Sequence, residues 1–429
     1  MLPECRTECI PFPIPKFSMD ESDIDGFMDK LKTFHEQFRE CFSRSEPWGN
    51  LFRYLSGQFS GLERKSIEPM ALHVEGGDVR CMQRFISDAV WDDDKILKRH
   101  HENISEDMGD KDGVLIFDES GFVKKGDDSA GVSRQYCGSI GKVENCQVGV
   151  FAAYASRHGY TLLNDQLFIP QKWFEDSHKE RREKCRFPED LSFKTKPQIA
   201  AEMFQKIRAD QILPFKYVAA DSVYTNSEDF LDAVENIPGV VYFLAIPSDT
   251  LFWFHEPVVT EKQYKHKGVI MSRKVVKKAE KVPTRVDNFA NDLKDYFWYR
   301  RTVAEGTKGP NDYEFTKRRV TLCKKGMPDR NVWLIIRRTL GNNPEYSFFI
   351  SNAPRSTKLS TFIWLSGIRW AIEQCFAESK TELGMDHYEV RKYGGWHHHI
   401  LTCMLAHFFL WHLKIRLGKK ITSHYAVAA

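Results

Sequence analysis

Twice in this chain a short apolar run ends on an aspartate: Gly113-Val114-Leu115-Ile116-Phe117 stops at Asp118, and Phe215 to Ala220 stops at Asp221. Brief apolar runs bounded by turn-formers read as buried strands. Two buried strands that each deliver an acid to a sheet edge constrain the chain to a layered α/β architecture with carboxylates held rigidly at one rim. A single strand-end Asp serves equally well as a helix cap or turn former, so the recurrence carries the signal.

The intervening segments fit the same scheme. Cys146 to Tyr154 and Tyr160 to Ile169 are rich in Val, Leu, Phe and Tyr and flank the turn-prone Ser156-Arg157-His158-Gly159, which predicts a three-strand meander. Pro197 to Ala209 and Ser227 to Glu235 predict helices, the latter capped by Asn226 or Ser227, and Val240 to Ile246 predicts a further strand. From about residue 249 to 350 the rhythm breaks into short strand-like pieces: 274–276, Tyr296 to Thr302, Arg319 to Cys323, Val332 to Arg337 and Tyr346 to Ser351. Helical spacing returns from Lys358 to about Leu383 and again from Trp396 to Leu417. Upstream, Ile24, Phe27, Met28, Leu31, Phe34 and Phe38 form one stripe, predicting a helix over Glu21 to Ser43 with Asp20 or Ser22 as its cap. The expected organisation is a helical domain over 1–105, an α/β core over 106–248, a β-rich insertion over 249–350 and a return to the core over 351–429.

A chain of 429 residues exceeds the usual size of one hydrophobic core. With 42% apolar and 28% charged residues it is an ordinary soluble globular composition, not a disordered one. The ten cysteines are scattered without a CxxC pair or a zinc-finger spacing, which indicates reduced thiols in a cytoplasmic protein. The proline-rich start lacks the basic and apolar regions of a signal peptide. The apolar stretch from Ile400 to Leu413 holds His407 and His412 and is short for a membrane span. A buried core helix is the expectation there.

A net charge of +3 says little about nucleic acid, so local clustering must carry that argument. Lys124 and Lys125 follow the first acid closely. The segment from Lys262 to Arg285 carries nine Lys/Arg against one acid, Glu280, a density that suits a phosphate track through Lys274, Lys277 and Lys278 as well as a solvated loop. Trp253, Trp298 and Trp333 can stack on an extruded base or simply fill a core, and Trp298 is taken as the DNA-contacting one. His397-His398-His399, with Cys403 and His407, face different directions on a helix and cannot jointly ligate one ion. Residues from Asp386 to His399 are expected instead to touch DNA or to support the Glu373 helix.

The third acid lies in Gly367-Ile368-Arg369-Trp370-Ala371-Ile372-Glu373-Gln374-Cys375-Phe376-Ala377-Glu378-Ser379-Lys380. Helical spacing puts Arg369, Glu373 and Lys380 on one polar face and Ile368, Ile372, Phe376 and Leu383 on an apolar one. A solvated helix with an Arg–Glu pair one turn apart has the same pattern. Context decides between them. The segments 118–126 (DESGFVKKG), 131–138 (GVSRQYCG) and 145–148 (NCQV) resemble the first catalytic block of bacterial insertion-sequence transposases of the DDE superfamily, most closely the insertion sequence seven-hundred-and-one family. Val218-Ala219-Ala220-Asp221-Ser222 resembles its second block, and Arg369 to Lys380 with the segment 382–391 (ELGMDHYEVR) its third. Looser similarity runs through the helical region, as at 63–69 (ERKSIEP). Where the related signature has a Tyr ahead of the Arg, this chain has Ser366.

The resemblance implies an RNase H-like α/β core interrupted by the β-rich insertion and preceded by the helical domain. It implies metal-dependent cleavage and joining of DNA at Asp118, Asp221 and Glu373. Two ions, Mg²⁺ or Mn²⁺, would be ligated by these three residues and activate water and then a DNA 3′-hydroxyl for in-line displacement at phosphorus. Arg369 and Lys380 become candidates for phosphate contacts. The implied partners are double-stranded DNA, as terminal inverted repeats and target, and a second copy of the chain in a synaptic homodimer, with no membrane. An RNase H-like nuclease that cuts without joining needs the same triad. A catalytically silent, domesticated DNA-binding protein is expected to lose a carboxylate, and none is lost here.

Overall fold

The computed structural model describes residues 17–18, 25–235, 237–267, 269–277, 282–306 and 309–420. The fold is mixed α/β. Among the described residues the first elements are β1 (Phe17–Ser18) and the helices α1 (Phe27–Glu36), α2 (Ser45–Gln58), α3 (Ile67–His73), α4 (Val79–Ser87) and α5 (Asp93–Met108). Then follow β2 (Val114–Val123), β3 (Ser133–Cys137), β4 (Lys142–Ser156), β5 (Gly159–Phe168), α6 (Lys179–Lys184), α7 (Lys196–Asp210) and β6 (Tyr217–Ala220). Next come α8 (Ser222–Thr225), α9 (Glu228–Glu235), β7 (Val241–Ala245), β8 (Leu251–Trp253), β9 (Val259–His266), β10 (Val269–Val276), β11 (Thr284–Arg285) and α10 (Val286–Asp292). The strands β12 (Tyr299–Gly306), β13 (Gly309–Lys324), β14 (Met327–Thr339) and β15 (Tyr346–Ser351) precede α11 (Leu359–Ile368), α12 (Trp370–Leu383), α13 (Tyr393–Leu417) and β16 (Lys419–Lys420). Among the described residues, 218–368 form one compact unit, and 217 and below together with 369 onward form the other.

In the second of these units, β4 is the central ladder. It pairs antiparallel with β2, β3 and β5. The turn between β4 and β5 is the expected one at residues 156–159, and Gly159 is required in it. Its φ is +152° and a Cβ there would lie 2.5 Å from Trp411 of α13. Helix α13 carries the long apolar run, and it packs against β5, α2, α4, α5 and α12. It is the one described helix long and apolar enough to cross a membrane, and it is mostly buried within its own unit. Helix α7 starts with a reciprocal capping box, Thr195 with Gln198, and has Pro197 in its first turn.

The other unit is a mainly antiparallel sheet in which β13 pairs with β8, β12 and β14, β14 with β15, and β15 with β7. The hairpin of β9 and β10 forms a separate two-stranded sheet.

Several boundaries differ from the sequence expectation. Strand β2 does not stop at Asp118 but runs on to Val123, because its ladder with β4 continues through Asp118 opposite Phe151 to Val123 opposite Cys146. Strand β3 carried no apolar run and was not expected; it is paired to β4 through alternating buried and exposed residues. The stretch from Lys358 to Leu383 is two helices rather than one. The first helix begins at Phe27, and its expected caps Asp20 and Ser22 lie outside the described residues.

Candidate active site

Asp118 and Glu373, far apart in sequence, meet in one unit, and the β ladder explains why. Residues opposite each other in an antiparallel pair project from the same face. Asp118 is opposite Phe151, and the Phe151 ring packs edge-on against Phe376 of α12, centroids 5.0 Å apart. Helix α12 therefore covers the face from which Asp118 projects. Glu373 lies one turn before Phe376 on that helix, which brings its carboxylate over the strand. Ile372, Phe376 and Leu383 are buried, as the apolar face requires.

Arg369 joins the two acids. Its Nη1 is 3.7 Å from Asp118 Oδ2 and its Nη2 is 3.2 Å from Glu373 Oε1. Asp118 Oδ1 also accepts from the Glu119 amide at 2.8 Å. Next along the strand, Glu119 Oε1 pairs with Lys196 Nζ of α7 at 2.8 Å. The sequence did not single out Lys196. Its only signal was the Thr195-to-Gln198 capping box, which fixes where α7 begins.

Asp221 lies in the other unit, directly after β6, where it occupies the N-cap position of α8 without a side-chain cap hydrogen bond. Its carbonyl accepts from the Tyr224 amide at 3.1 Å, and Thr225 ties the turn to Ala245 of β7 at 2.6 Å.

Among the described residues no group of three or more His, Cys, Asp or Glu side chains is gathered closely enough to hold a metal ion. A divalent ion of the magnesium type, however, is commonly bound by one or two carboxylates plus substrate phosphate oxygens. Two carboxylates that already converge on a guanidinium cation supply that hard donor set. The residues therefore fit such an ion.

The remaining basic residues named from the sequence are placed differently from one another. Lys380 Nζ donates to the Gly121 carbonyl at 3.0 Å and lies over the Phe122 ring at 4.9 Å. Burial lowers its pKa, partly offset by Asp386. Lys124 Nζ lies 3.3 Å from the Tyr388 ring centroid and donates to the Tyr388 carbonyl; burial lowers its pKa to about 8. Lys125 is exposed. Lys274 and Lys277 are exposed in and just after β10, and Lys278 lies outside the described residues.

Trp298 is buried with the Arg338 guanidinium 4.2 Å from its ring, and Trp253 is buried. Trp333 donates to the Pro354 carbonyl and has Lys317 over its ring. Ser366 is buried and donates to the Ile363 carbonyl in its own helix. The three consecutive histidines each have their own partner: His397 has Asp165, His398 the Ile86 carbonyl, and His399 the Tyr54 hydroxyl. His407 pairs through Nε2 with Glu378 of α12 at 2.9 Å, so it supports the helix that carries Glu373.

Asp118 on a strand and Glu373 on a helix thus share one guanidinium, that of Arg369. Residues 37–310 match the family described as DDE superfamily endonuclease, and the chain belongs to that family. It is 25% identical over 347 residues to the "Probable transposase for insertion sequence element IS701" of Microchaete diplosiphon, across 80% of this chain and 77% of that protein. A solved structure, "Cryo-EM structure of piggyBac transposase synaptic complex with hairpin DNA (SNHP)", is similar with a TM-score of 0.41 and 8% identity, over 92% of this chain and 73% of that one.

Proposed function

We propose that this DDE-family transposase cuts DNA at the ends of a mobile element and joins the freed 3′-hydroxyl to target DNA, using Asp118, Asp221 and Glu373 as one carboxylate triad. One observation carries the reading. Glu373 lies beyond the matched residues 37–310, yet it shares Arg369 with Asp118, which lies inside them. This shared guanidinium is what supports reading Glu373 as the third acid beside Asp118.

In this reading the three carboxylates hold two Mg²⁺ or Mn²⁺ ions. When bound, these lower the pKa of the attacking hydroxyl and neutralise charge on the leaving oxygen. The chain's own groups do the rest. Asp118 is fixed by the β2–β4 ladder and Glu373 by the buried face of α12, so neither carboxylate needs to reorganise before reaction. Arg369, released from the acids, would orient a phosphate, and the exposed Lys125 and Lys277 hold the flanking backbone.

The core around β2, β4, β5 and β6 is read as RNase H-like, with residues 249–350 as its insertion and 1–105 as a helical domain for DNA binding or dimerisation. The acting form is a homodimer on paired element ends in the bacterial cytoplasm, at the nucleoid. Element-end DNA labelled at its 3′ terminus and incubated with Mg²⁺ tests the proposal: cleaved and joined products are expected. Cleaved product alone favours a nuclease without joining. Asp118→Asn, Asp221→Asn and Glu373→Gln should each abolish cleavage and leave DNA binding nearly intact. Full activity in excess EDTA overturns the mechanism.

A further inference from the structure

The β9–β10 hairpin is anomalous as a piece of soluble structure. A lone two-stranded ribbon is marginal in water without a third strand or a covering helix, and nearly every residue of this one is exposed. Its register separates two faces. On one, Lys262 is directly opposite Arg273, and the next rung toward the turn pairs Tyr264 with Met271. On the other, Lys274 is opposite Glu261 and Lys265 opposite Ile270.

Like charges placed directly across a ladder destabilise it. The Lys262–Arg273 rung has no acid across from it, whereas the Lys274 rung carries its own counter-charge. Arg273 also lies 5.5 Å from the Tyr264 ring centroid, which aligns a cation and an aromatic on that first face. At the tip, Val269, Ile270 and Met271 are 62%, 71% and 44% exposed. Three consecutive exposed apolar residues at the end of a basic arm are costly in water and have a use only against another surface.

We infer that this hairpin is an arm that lies on duplex DNA, with the Lys262–Arg273 face on the phosphates and the Val269–Met271 tip pressed as an apolar wedge into a base step. The inference rests on the transposase reading, which supplies the polyanion. A two-stranded ribbon has the dimensions to enter a groove of duplex DNA. Apolar side chains inserted between base pairs kink the duplex, so the two halves of the arm have separable effects: charge sets affinity, and the tip sets deformation.

The experiment uses the full chain and a duplex carrying a donor and an acceptor dye at its two ends. Affinity is followed by anisotropy against salt, and bending by energy transfer. Lys262→Ser with Arg273→Ser should lower the slope of log K against log salt by about 1.8, two contacts at about 0.9 each. Lys265→Ser, on the opposite face of the same strand, should change it by less than about 0.9, one contact's worth. Val269→Ser with Met271→Ser should keep the slope and abolish the protein-induced rise in energy transfer. An unchanged slope in the Lys262/Arg273 variant, or an equal loss per residue on both faces, overturns the face assignment. Bending that survives in the tip variant, or that is absent in the wild type, overturns the wedge. If the wild-type chain does not bind duplex DNA with salt dependence, the transposase reading fails instead.

Discussion

Arg369 Nη2 is 3.2 Å from Glu373 Oε1, and Nη1 of the same guanidinium is 3.7 Å from Asp118 Oδ2. In the proposed mechanism a divalent cation lies between these acids, so the guanidinium and the ion would compete. Arg369→Gln removes the competitor and keeps both carboxylates. A partly exposed ion pair of this kind is worth up to about 1 kcal/mol, so Mn²⁺ should bind roughly five-fold more tightly to the variant. Titration calorimetry measures this, and unchanged or weaker Mn²⁺ binding would show that Arg369 is not a placeholder.

The second prediction concerns the anchor of the same helix. Glu378 accepts from Tyr160 of β5 at 2.7 Å and pairs with His407 of α13 at 2.9 Å, and His407 reaches Thr161 at 3.0 Å. Burial raises the Glu378 pKa, but the His407 and Tyr160 contacts outweigh it and leave the carboxyl below its usual value. A depressed native carboxyl pKa contributes stability above the unfolded value of about 4.3, and that contribution is lost as pH falls below it. Glu378→Gln should therefore cost about 1–2 kcal/mol at neutral pH, with the gap to wild type closing in acid. Urea midpoints measured across that range check it; a gap that is constant with pH contradicts the charged contact.

How much of this was readable beforehand depends on whether a feature is written locally. The apolar runs before Asp118 and Asp221 announced their strands because burial on both faces leaves no polar residue to interrupt them. The apolar side of α12 was legible from its helical period. The extension of β2 past Asp118 was not, since it depends on a partner strand that begins many residues later, at Lys142. Nor was the anchoring of Lys124 and Lys380. A lysine near a candidate acid reads as a phosphate ligand, and the sequence does not show that each Nζ also donates to a main-chain carbonyl and lies against the ring of Tyr388 or Phe122. Those partners come from tertiary packing that no sequence period encodes.

Lys124 gives a third prediction. Burial against Tyr388 lowers its pKa to about 8, with partial compensation from Asp386 and Glu389. An unfolded lysine titrates near 10.4, so between about pH 8 and about pH 10.4 the unfolded chain holds the extra proton. Stability should rise with pH through that window and be flat in this respect below it. Lys124→Met lacks the titration. The stability difference between wild type and variant should thus shift toward wild type from about pH 7 to about pH 10, as read from urea midpoints. A difference independent of pH means that the ammonium is solvated in the native state.

The last prediction follows from Gly121, three residues beyond Asp118 on the same strand. A Cβ added there would lie 2.4 Å from Cys137 Sγ, far inside contact distance, while the Cys137 Cα and Cβ would both be at an ordinary 3.5 Å. The Gly121 carbonyl also accepts from Lys380 of α12 and from Ser139. Any shift of the strand to relieve the clash would therefore pull on the link between β2 and α12. Overpacking of this kind costs about 1–3 kcal/mol, so Gly121→Ala should lower the urea midpoint and reduce cleavage. The clash is with the sulfur alone. Cys137→Ala, itself a small loss in a buried cluster with Cys146 and Val148, should restore room for the new methyl. The double variant should then be more stable than Gly121→Ala, and the cycle should give a coupling of about 1 kcal/mol or more in the favourable direction. If the two losses simply add, the intolerance at Gly121 arises from the strand's conformation and not from the Cys137 thiol packed against it.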